Sequence, residues 1–466
     1  MPRRPAFILL ALSLFLASAA LLPSTERVAR AQTAVKPNIL IILTDDQRTP
    51  GTIGVMPEVK GRFVGAGTTF TQGFANTPLC CPSRASLMTG QYAHNTGVRT
   101  NADATKINHD RTLQKYLHDN GYWTGIFGKY LNRWDVTQPP PNFDRWAIFT
   151  PDPGYNDVTY NSNGATIKPN MYSTDYLSTR IGTFLTGAEV RDSSPWFLMV
   201  TPYAPHYPYA VEPAYRTTPV PSFFANPAVL ETDRTDKPQY VQDRWNELGP
   251  VKTTRAKQLR TLMSVDDLVD NAFDQMNRFG EAGRTVVFFL SDNGFMWREH
   301  GLVGKSQPYS NSIKVPFYMW GPSRGIARAK TDSRIVAIAD VMPTILDLAD
   351  IDPKPEFPMD GRSLLGSFSR NRILTEFWQE GDTPGSVGTP TWASVRTPTY
   401  QYIEYYAADG TTVIDTEYYN LVNDPWQNTN LLGDASTSND PDTTAAEEQL
   451  DHDRACVGTT GDTACP

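Results

Sequence analysis

Apolar, β-branched runs alternate with helical stretches along most of the chain from Lys36 onward. Short apolar runs bounded by polar residues are typical of buried strands, and helical segments between them favour parallel pairing. The expected strands are residues 38–44, Phe127 with its neighbours, and residues 196–201, 285–291 and 315–320. The pattern predicts an α/β fold, a doubly wound and mostly parallel sheet with helices on both faces.

The longest predicted helix covers residues 254–279, where apolar residues recur at spacings of three and four. It leads directly into the strand at 285–291, and a second helix is expected over 340–350. Two stretches rich in Pro, Asn, Tyr and Gly, residues 139–176 and 205–250, are predicted to be long surface loops. Loops of this kind commonly shape substrate access in such folds.

A change of pattern near Phe368 marks a predicted boundary. Short aromatic and β-branched runs at 373–378, 391–395 and 400–406 predict a smaller C-terminal antiparallel sheet. The expected organisation is a main domain at 36–368, an antiparallel subdomain at 369–435 and a polar, poorly ordered tail at 436–466. A disulfide between Cys456 and Cys465 would close a small turn in that tail.

The first 31 residues have the features of a secretory signal peptide: Arg3 and Arg4, then an apolar run, then small residues around Arg30. The run is also about long enough for an uncleaved membrane anchor, and the export route stays open. We expect a secreted or periplasmic protein without a stable membrane partner.

Removing residues 1–31 takes away four Arg and one Glu, which moves the formal charge from −8 to −11. An acidic chain has no global attraction for nucleic acid.

Two adjacent carboxylates, Asp45 and Asp46, follow the first expected strand. The carboxyl ends of strands form the edge of an open α/β sheet where ligands bind. Neighbouring carboxylates repel each other unless a proton or cation is shared, so a hard divalent metal is a natural partner. Taken alone, such a pair is more often a helix cap or a solvated turn.

A second polar group, Asp292 and Asn293 in the tetrapeptide SDNG, follows another apolar strand. Alone, SDNG is usually a turn. Together with Asp45 and Asp46 it offers three carboxylates and an amide oxygen at one sheet edge. Such an oxygen-rich site suits Ca²⁺, with Mg²⁺ as the alternative if the cage is tight.

The third signal is CCPSRASLMTG, in which Cys80, Pro82 and Arg84 fit the pattern CxPxR. A helix that begins near Pro82 would direct free N–H groups and a positive dipole end towards an anion. The stretch resembles the signature of the formylglycine-dependent (type I) sulfatases, which have an alkaline-phosphatase-like fold. The resemblance implies that a separate formylglycine-generating enzyme oxidises Cys80 to the catalytic nucleophile, which also becomes a metal ligand.

The family expects further residues in a set order, and the chain contains all of them. They are Lys129 in GIFGKYLN, His206 in APHYPY and Lys305 in EHGLVGKSQPY. The resemblance covers roughly residues 37–365, and a late family-like pattern recurs as YYNLVNDP from Tyr418. One departure is Leu131, at a place where many sulfatases have a histidine. Glucosamine-6-sulfatases and extracellular heparan endosulfatases share GKYLN and CCPSR, so the departure favours their branch.

The resemblance implies a mechanism for sulfate monoesters of carbohydrates or aryl alcohols. A hydroxyl of the hydrated formylglycine, polarised by calcium and Arg84, attacks sulfur, and Lys129 and Lys305 neutralise the sulfuryl oxygens. His206 protonates the leaving alcohol or holds the sulfate. The second hydroxyl then expels sulfate and regenerates the aldehyde.

Two other readings stay open. Relatives with the same modified CxPxR hydrolyse phosphonate monoesters or phosphodiesters. A catalytically inactive, calcium-stabilised binding protein is a second alternative, although it should have lost one of the site residues. His94 and His300 are either supporting or ordinary hydrogen-bonded histidines, and the aromatic residues near the motifs are more often packing groups than sugar platforms. These are Tyr203, Tyr207, Tyr209, Trp297 and Tyr309.

Overall fold

The computed structural model describes residues 1–2, 36–149, 154–191, 194–244, 248–322, 324–380 and 388–466. Nearly all of the predicted leader, residues 1–31, lies outside the described residues. Lys36–Pro466 belong to a single compact unit. None of the described helices combines the length and the apolar character that crossing a bilayer requires.

The strands include the five predicted for the large sheet, together with several that were not predicted, such as Thr68–Phe74 and Lys330–Ala337. They are β1 (Asn38–Thr44), β2 (Thr68–Phe74), β3 (Trp123–Gly128), β4 (Arg145–Phe149), β5 (Tyr160–Ser162), β6 (Ala165–Ile167), β7 (Trp196–Thr201), β8 (Thr285–Ser291), β9 (Met296–Trp297), β10 (Val303–Gly304), β11 (Phe317–Trp320), β12 (Lys330–Ala337), β13 (Ile373–Phe377), β14 (Thr391–Arg396), β15 (Tyr400–Tyr406) and β16 (Val413–Asn420).

The helices are α1 (Pro57–Val59), α2 (Cys80–Thr89), α3 (Ala93–Thr96), α4 (Leu113–Asp119), α5 (Ser173–Glu189), α6 (Pro227–Leu230), α7 (Gln239–Gln242), α8 (Leu248–Arg278), α9 (Ser310–Ile313), α10 (Val341–Leu348) and α11 (Thr444–Arg454). The helix predicted over 254–279 is α8, which begins six residues earlier than expected. Pro250 lies in its first turn, where proline is tolerated because the missing N–H has no intrahelical acceptor.

The large sheet has the strand order β12-β2-β11-β8-β1-β7-β3-β4-β5-β6. Strand β1 pairs in parallel with both β7 and β8, and β3 pairs in parallel with β7 and β4. Strand β11 runs antiparallel to its neighbours β8 and β2. The prediction of a mostly parallel sheet is confirmed, and β1 lies near its centre.

Both faces of the sheet are covered. In β1, Ile39 and Ile41 pack into one apolar cluster, while Leu40 and Ile42 pack into another on the opposite face. Helices α2, α4 and α10 contribute to the first cluster, and α5 and α8 to the second. Each fully buried aliphatic side chain of this kind stabilises the fold by about 1.5–3 kcal/mol. The doubly wound arrangement therefore fixes β1 and its carboxyl end rigidly.

The prediction of one long loop over residues 139–176 is wrong in part. This stretch contains β4, β5, β6 and the first turn of α5. Strands β5 and β6 form a hairpin in which Ser162 pairs with Ala165. Between them Asn163 and Gly164 both have positive φ, as a two-residue hairpin turn requires. The Asn and Gly content that indicated a loop thus belongs to a tight turn. Residues 205–250 are mostly irregular, with the short helices α6 and α7.

The C-terminal strands β13 to β16 form a four-stranded antiparallel sheet in sequence order, as predicted. Helix α11 packs against it through Ala446 and Leu450. The predicted polar tail is therefore more ordered than its composition indicated. Cys456 and Cys465 are joined by a disulfide in that tail.

His94 connects three parts of the fold. Its Nδ1 lies 2.9 Å from Glu376 Oε2 on β13, and its Nε2 lies 3.0 Å from the carbonyl oxygen of Cys456. Burial alone would lower the pKa of His94, but Glu376 and the carbonyl of Cys456 raise it to about 9. His94 is therefore a positively charged link between α3, the C-terminal sheet and the disulfide loop.

The raised pKa makes the contribution of His94 to stability dependent on pH. It is fully present below the unfolded pKa of about 6.5 and is lost as pH rises through about 9. We expect His94→Gln to remove this dependence, which corresponds to about 3 kcal/mol of unfolding free energy between pH 6.5 and pH 9. Denaturant unfolding of both proteins across this range measures it. His118→Gln, at a half-exposed position, is the matched control; equal pH slopes in wild type and His94→Gln would contradict the assignment.

Candidate active site

Asp45 and Asp46 follow β1 immediately, and both are buried. Asp46 has a positive φ of 69°, in the left-handed region that non-glycine residues adopt infrequently. Its backbone N–H donates to Asp292 Oδ1 at 3.2 Å, and the Asp45 N–H donates to the Ala204 carbonyl at 3.2 Å. These bonds compensate for the unusual turn and hold both carboxylates at the sheet edge.

Asp292 and Asn293 come to the same place because β8 pairs with β1. The last residues of these strands, Thr44 and Ser291, are partners in the parallel register. The Asp292 N–H continues that ladder by donating to Thr44 O at 3.1 Å. Asn293 Nδ2 donates to Asp46 Oδ1 at 2.7 Å, whereas Asn293 Oδ1 is buried without a hydrogen-bond partner among the described residues. The structure thus leaves a buried amide oxygen free within a group of carboxylates.

Helix α2 begins at Cys80, and its first turn faces the carboxylates. Cys80 Sγ lies 3.4 Å from Asp45 Oδ1. Arg84, one turn further on the same face, donates through Nε to Asp292 Oδ2 at 2.9 Å and through Nη1 to the Lys129 carbonyl at 2.9 Å. The unpaired N–H groups and positive dipole end of the helix add to the positive potential at Cys80.

Two lysines complete the polar cluster. Lys129 follows β3, and its Nζ lies 2.5 Å from Asp45 Oδ2. Lys305 follows β10, and its Nζ contacts Asp46 Oδ1 at 2.6 Å and Cys80 Sγ at 2.8 Å. Each ammonium group therefore balances one of the adjacent carboxylates, and Lys305 also touches the predicted nucleophile.

His206 lies at the rim of this cluster. Its Nε2 is 3.8 Å from Asp46 Oδ2, and its side chain remains 18% exposed. Its Nδ1 lies 2.7 Å from the Tyr207 carbonyl, and because a carbonyl only accepts, Nδ1 must carry a hydrogen. Nε2 is therefore the ring nitrogen that faces the site. The ring of Tyr203 packs against the imidazole with a centroid distance of 4.6 Å.

Burial and neighbouring charges both shift the pKa values of Asp45 and Cys80. Burial would raise the pKa of Asp45, but Lys129, His206 and Arg84 hold it well below its usual range. Burial and the neighbouring Asp45 raise the pKa of Cys80. The Cys80 thiol is therefore protonated near neutral pH, and an unmodified thiol at this position is a poor nucleophile.

A divalent cation fits the donor set. One ligand atom from each of Asp45, Asp46, Cys80 and His206 lies within 4.8 Å of the others. Asn293 supplies the free buried amide oxygen noted above, and Asp292 lies beside Asp46. Carboxylate and amide oxygens are the ligands that hard cations prefer.

We expect Asn293→Ala to weaken binding of Ca²⁺ by about tenfold to a hundredfold, because it removes a buried oxygen that has no other partner. Calorimetric titration with CaCl₂, and with MgCl₂ for comparison, measures the effect. Asn277→Ala removes an amide at an exposed position and should leave the affinity unchanged. Unaltered Ca²⁺ binding in Asn293→Ala would exclude Asn293 from the ligand set.

The structure brings together every residue that the sequence motifs predicted for the site. His300 is not among them: it is buried, its Nδ1 is 2.9 Å from Glu231 Oε2, and it packs on Tyr309. Of the candidate aromatic platforms, Tyr203, Trp297 and Tyr309 are buried, whereas Tyr207 is 65% exposed beside His206. Leu131 packs into the apolar core.

Sequence reasoning missed Ser83. Its Oγ donates to the Asp292 backbone carbonyl at 2.5 Å, which ties helix α2 to the end of β8. It occupies the variable position immediately before Arg84 in the CxPxR pattern. Its neighbourhood was therefore visible in the sequence, although its partner was not.

Comparison with known proteins agrees with this geometry. The profile described as Sulfatase matches residues 37–351. The chain belongs to the sulfatase family. The resemblance noted from the CxPxR motif is therefore confirmed at the level of the family. The profile described as N-sulphoglucosamine sulphohydrolase, C-terminal, matches residues 298–453.

The chain is 34% identical over 385 residues to the Extracellular sulfatase SULF-1 homolog of Drosophila melanogaster, covering 77% of this chain and 34% of that protein. It is 29% identical over 449 residues to the N-acetylglucosamine-6-sulfatase of Homo sapiens, covering 85% and 81%. The chain thus spans about a third of the length of the Drosophila relative. A solved structure in complex with its substrate, D-glucosamine-2-N,6-O-disulfate, superposes with a TM-score of 0.73 at 22% identity, covering 89% of this chain and 97% of that chain.

Proposed function

We propose that this protein hydrolyses sulfate monoesters, on carbohydrates or aryl alcohols, at a formylglycine formed from Cys80. The observation that carries the proposal is the surroundings of the Cys80 sulfur. Lys305 Nζ and Asp45 Oδ1 lie 2.8 and 3.4 Å from it, at the start of a helix and inside a buried cluster of three carboxylates. An anionic substrate and a metal ion would both bind next to residue 80.

Oxidation of Cys80 replaces a protonated thiol with a group suited to the reaction. The hydrated aldehyde offers one hydroxyl that attacks sulfur and a second whose deprotonation expels sulfate. A serine or an unmodified cysteine lacks that second hydroxyl. The proposal therefore includes a formylglycine-generating enzyme as a partner during maturation.

Calcium is the proposed metal, held by Asp45, Asp46, Asp292, Asn293 and the modified residue 80. When bound, it would polarise oxygen and stabilise negative charge in the site. Without a metal, three carboxylates face three permanent cations, Arg84, Lys129 and Lys305. A divalent cation would thus give the site a net positive charge, which favours a sulfate ester.

Side chains of this protein stabilise charge, transfer a proton and exclude water in the proposed reaction. Lys129, Lys305 and Arg84 are fixed by ion pairs and stabilise the charge on the sulfuryl oxygens without reorganising. His206 stands at the exposed rim, where the alcohol departs, and its Nε2 can carry a proton to that oxygen. Burial of Cys80 and the lysines excludes bulk water from this side of the site.

The substrate class rests on the relatives. N-acetylglucosamine-6-sulfatases of Homo sapiens and Bacteroides thetaiotaomicron are 29% and 24% identical to this chain over most of its length. Together with the solved substrate complex, they favour a 6-sulfated amino sugar. Relatives named as extracellular sulfatases, and the predicted leader at 1–31, support secretion to the cell exterior or periplasm.

The chemical state of residue 80 tests the proposal most directly. Protein made in cells with an active formylglycine-generating enzyme should yield a Cys80 peptide with the mass of formylglycine. Cys80→Ala should lose hydrolysis of 4-nitrophenyl sulfate and N-acetylglucosamine-6-sulfate, by about 10⁴-fold or more, because the nucleophile is gone. Cys81→Ala, which changes the adjacent buried thiol, is the matched control and should keep residue 80 modified.

An intact thiol at residue 80, with the modifying enzyme shown to be active, would overturn the proposal. Unchanged biological activity of Cys80→Ala would indicate a calcium-stabilised binding protein instead.

Structures of phosphonate monoester hydrolases from Agrobacterium radiobacter and Silicibacter pomeroyi superpose with TM-scores of 0.66 and 0.68. We therefore include matched aryl sulfate and aryl phosphonate esters in the assay; preference for the phosphonate would assign the site to that reaction.

Substitution of His206 tests its role as the proton donor. We expect His206→Gln to lower kcat by about 10²–10³-fold for alkyl or sugar sulfates, whose leaving alcohols need a proton. The loss should be much smaller for 4-nitrophenyl sulfate, since nitrophenolate departs without one. His118→Gln, at a half-exposed position on helix α4, is the control. Equal losses on both substrate types would mean that His206 only binds sulfate.

A further inference from the structure

A cavity lies where the large sheet meets the C-terminal sheet. It has a volume of about 250 Å³ and is lined by the turn at Thr49 and Pro50, by Gln72 of β2, by α9 and Lys314 just after it, by the end of β14 with Arg396, and by the segment after β16 with Trp426. None of the candidate active-site residues lines it. We call it the sheet-junction cavity.

Two cations line this cavity, and neither has an acidic partner. Lys314 Nζ and Arg396 Cζ lie 5.7 and 5.4 Å from the centroid of the Phe74 ring, so the two charges are within about 11 Å of each other. Arg396 Nη1 donates to Gln401 Oε1, a neutral acceptor, at 2.5 Å. Among the described residues, neither cation forms an ion pair with a carboxylate.

This arrangement is unfavourable without a counterion. Arg396 is buried, and burial of a cation without an opposite charge disfavours its charged form. Accordingly, burial and the neighbouring Arg396 lower the pKa of Lys314 to about 8, and burial lowers that of Arg396 to about 10. Most other buried cations of this protein are compensated: Lys129, Lys305, Arg84 and Arg370 all have carboxylate partners.

We propose that the sheet-junction cavity is a second anion site that binds the sulfate group of a sulfated saccharide, apart from the catalytic centre. Arg396 offers a planar, multidentate donor and Lys314 a point charge, the pair of groups that recognises an oxyanion. Ser310, Asn311 and Thr397 add polar groups to the wall. The half-buried indole of Trp426 supplies a flat apolar surface on which a sugar ring packs.

The anion site follows from this cavity alone; only its assignment to a saccharide rests on the proposed function. The cavity has room for more than a bare tetrahedral ion. Inorganic sulfate has the same charged group and is the alternative ligand of the cavity. A longer sulfated chain held here would add affinity to the enzyme without entering the reaction.

The location is tested directly with selenate, an anomalous scatterer that has the shape and charge of sulfate. Crystals of the full chain, grown without sulfate or phosphate and soaked in selenate, should show an anomalous peak within hydrogen-bonding distance of Lys314 Nζ and Arg396. No peak in the cavity, with one at the active site, would overturn the proposal. This readout needs no catalytic turnover, so it stands even if the protein hydrolyses no sulfate ester.

Affinity is tested by calorimetry at constant ionic strength with N-acetylglucosamine-6-sulfate and with inorganic sulfate, in protein that also carries Cys80→Ala so that the sugar sulfate is not hydrolysed; activity is assayed separately with Cys80 intact. We expect Lys314→Met to weaken the binding event outside the active site by about tenfold to a hundredfold, and Lys314→Arg to restore most of it. Both variants should keep wild-type hydrolysis of 4-nitrophenyl sulfate. Lys60→Met, at an exposed site, is the charge-matched control.

Thermal unfolding separates lost binding from lost structure. Sulfate should raise the Tm of wild type by more than that of Lys314→Met, and Lys314→Met should be at least as stable as wild type in chloride, because an uncompensated charge is removed. Equal binding by wild type and Lys314→Met would exclude the site. Equal affinities for the sugar sulfate and inorganic sulfate would overturn the saccharide assignment and leave a free-ion site.

Discussion

The parallel pairing of β1 with β8 is the constraint on which the rest of the site depends. It sets Thr44 beside Ser291, so the residues that follow the two strands meet at one edge although 246 positions separate Asp46 from Asp292. A slip of one residue would turn every side chain to the opposite face of the sheet. The core on both faces prevents such a slip, because Ile41 and Ile42 belong to different apolar clusters. Packing energy is thus what aligns the carboxylates.

The second requirement is charge compensation in a buried place. An isolated carboxylate at this depth would take up a proton, whereas Lys129 and Arg84 hold the pKa of Asp45 low. Lys129 and Lys305 approach from separate loops, and Arg84 approaches from helix α2, so three independent elements supply the compensating charges. The same cations that compensate the buried carboxylates also attract an anion, which makes the stability of the site and its proposed chemistry inseparable.

Much of this was accessible from the sequence. Buried strands are recognisable as apolar runs, and Asp45, Asp292 and Cys80 follow or begin elements whose ends a parallel sheet must bring together. Lys129, His206 and Lys305 needed a family resemblance, since a single lysine or histidine in a loop carries no positional signal. Composition misled in two places: Asn163 and Gly164 form a hairpin turn where a loop was expected, and the polar tail contains α11.

Long-range polar contacts lay beyond sequence reasoning. Ser83 reaches a backbone carbonyl at Asp292, and Lys314 and Arg396 meet around Phe74 only after the two sheets have packed. No local sequence pattern predicts these contacts, because they form only when one sheet packs against the other. The sites found by sequence are those whose residues lie at strand and helix ends.

The burial of Cys80 determines when this residue can be modified. Its side chain is 1% exposed, and its sulfur lies beneath Lys305 and Asp45. A second enzyme that works on this atom cannot reach it once the sheet has closed, so the oxidation proposed for Cys80 belongs to the nascent or translocating polypeptide. Unmodified protein that is denatured and refolded in vitro would miss this stage. It would reach the native fold with an intact thiol at Cys80.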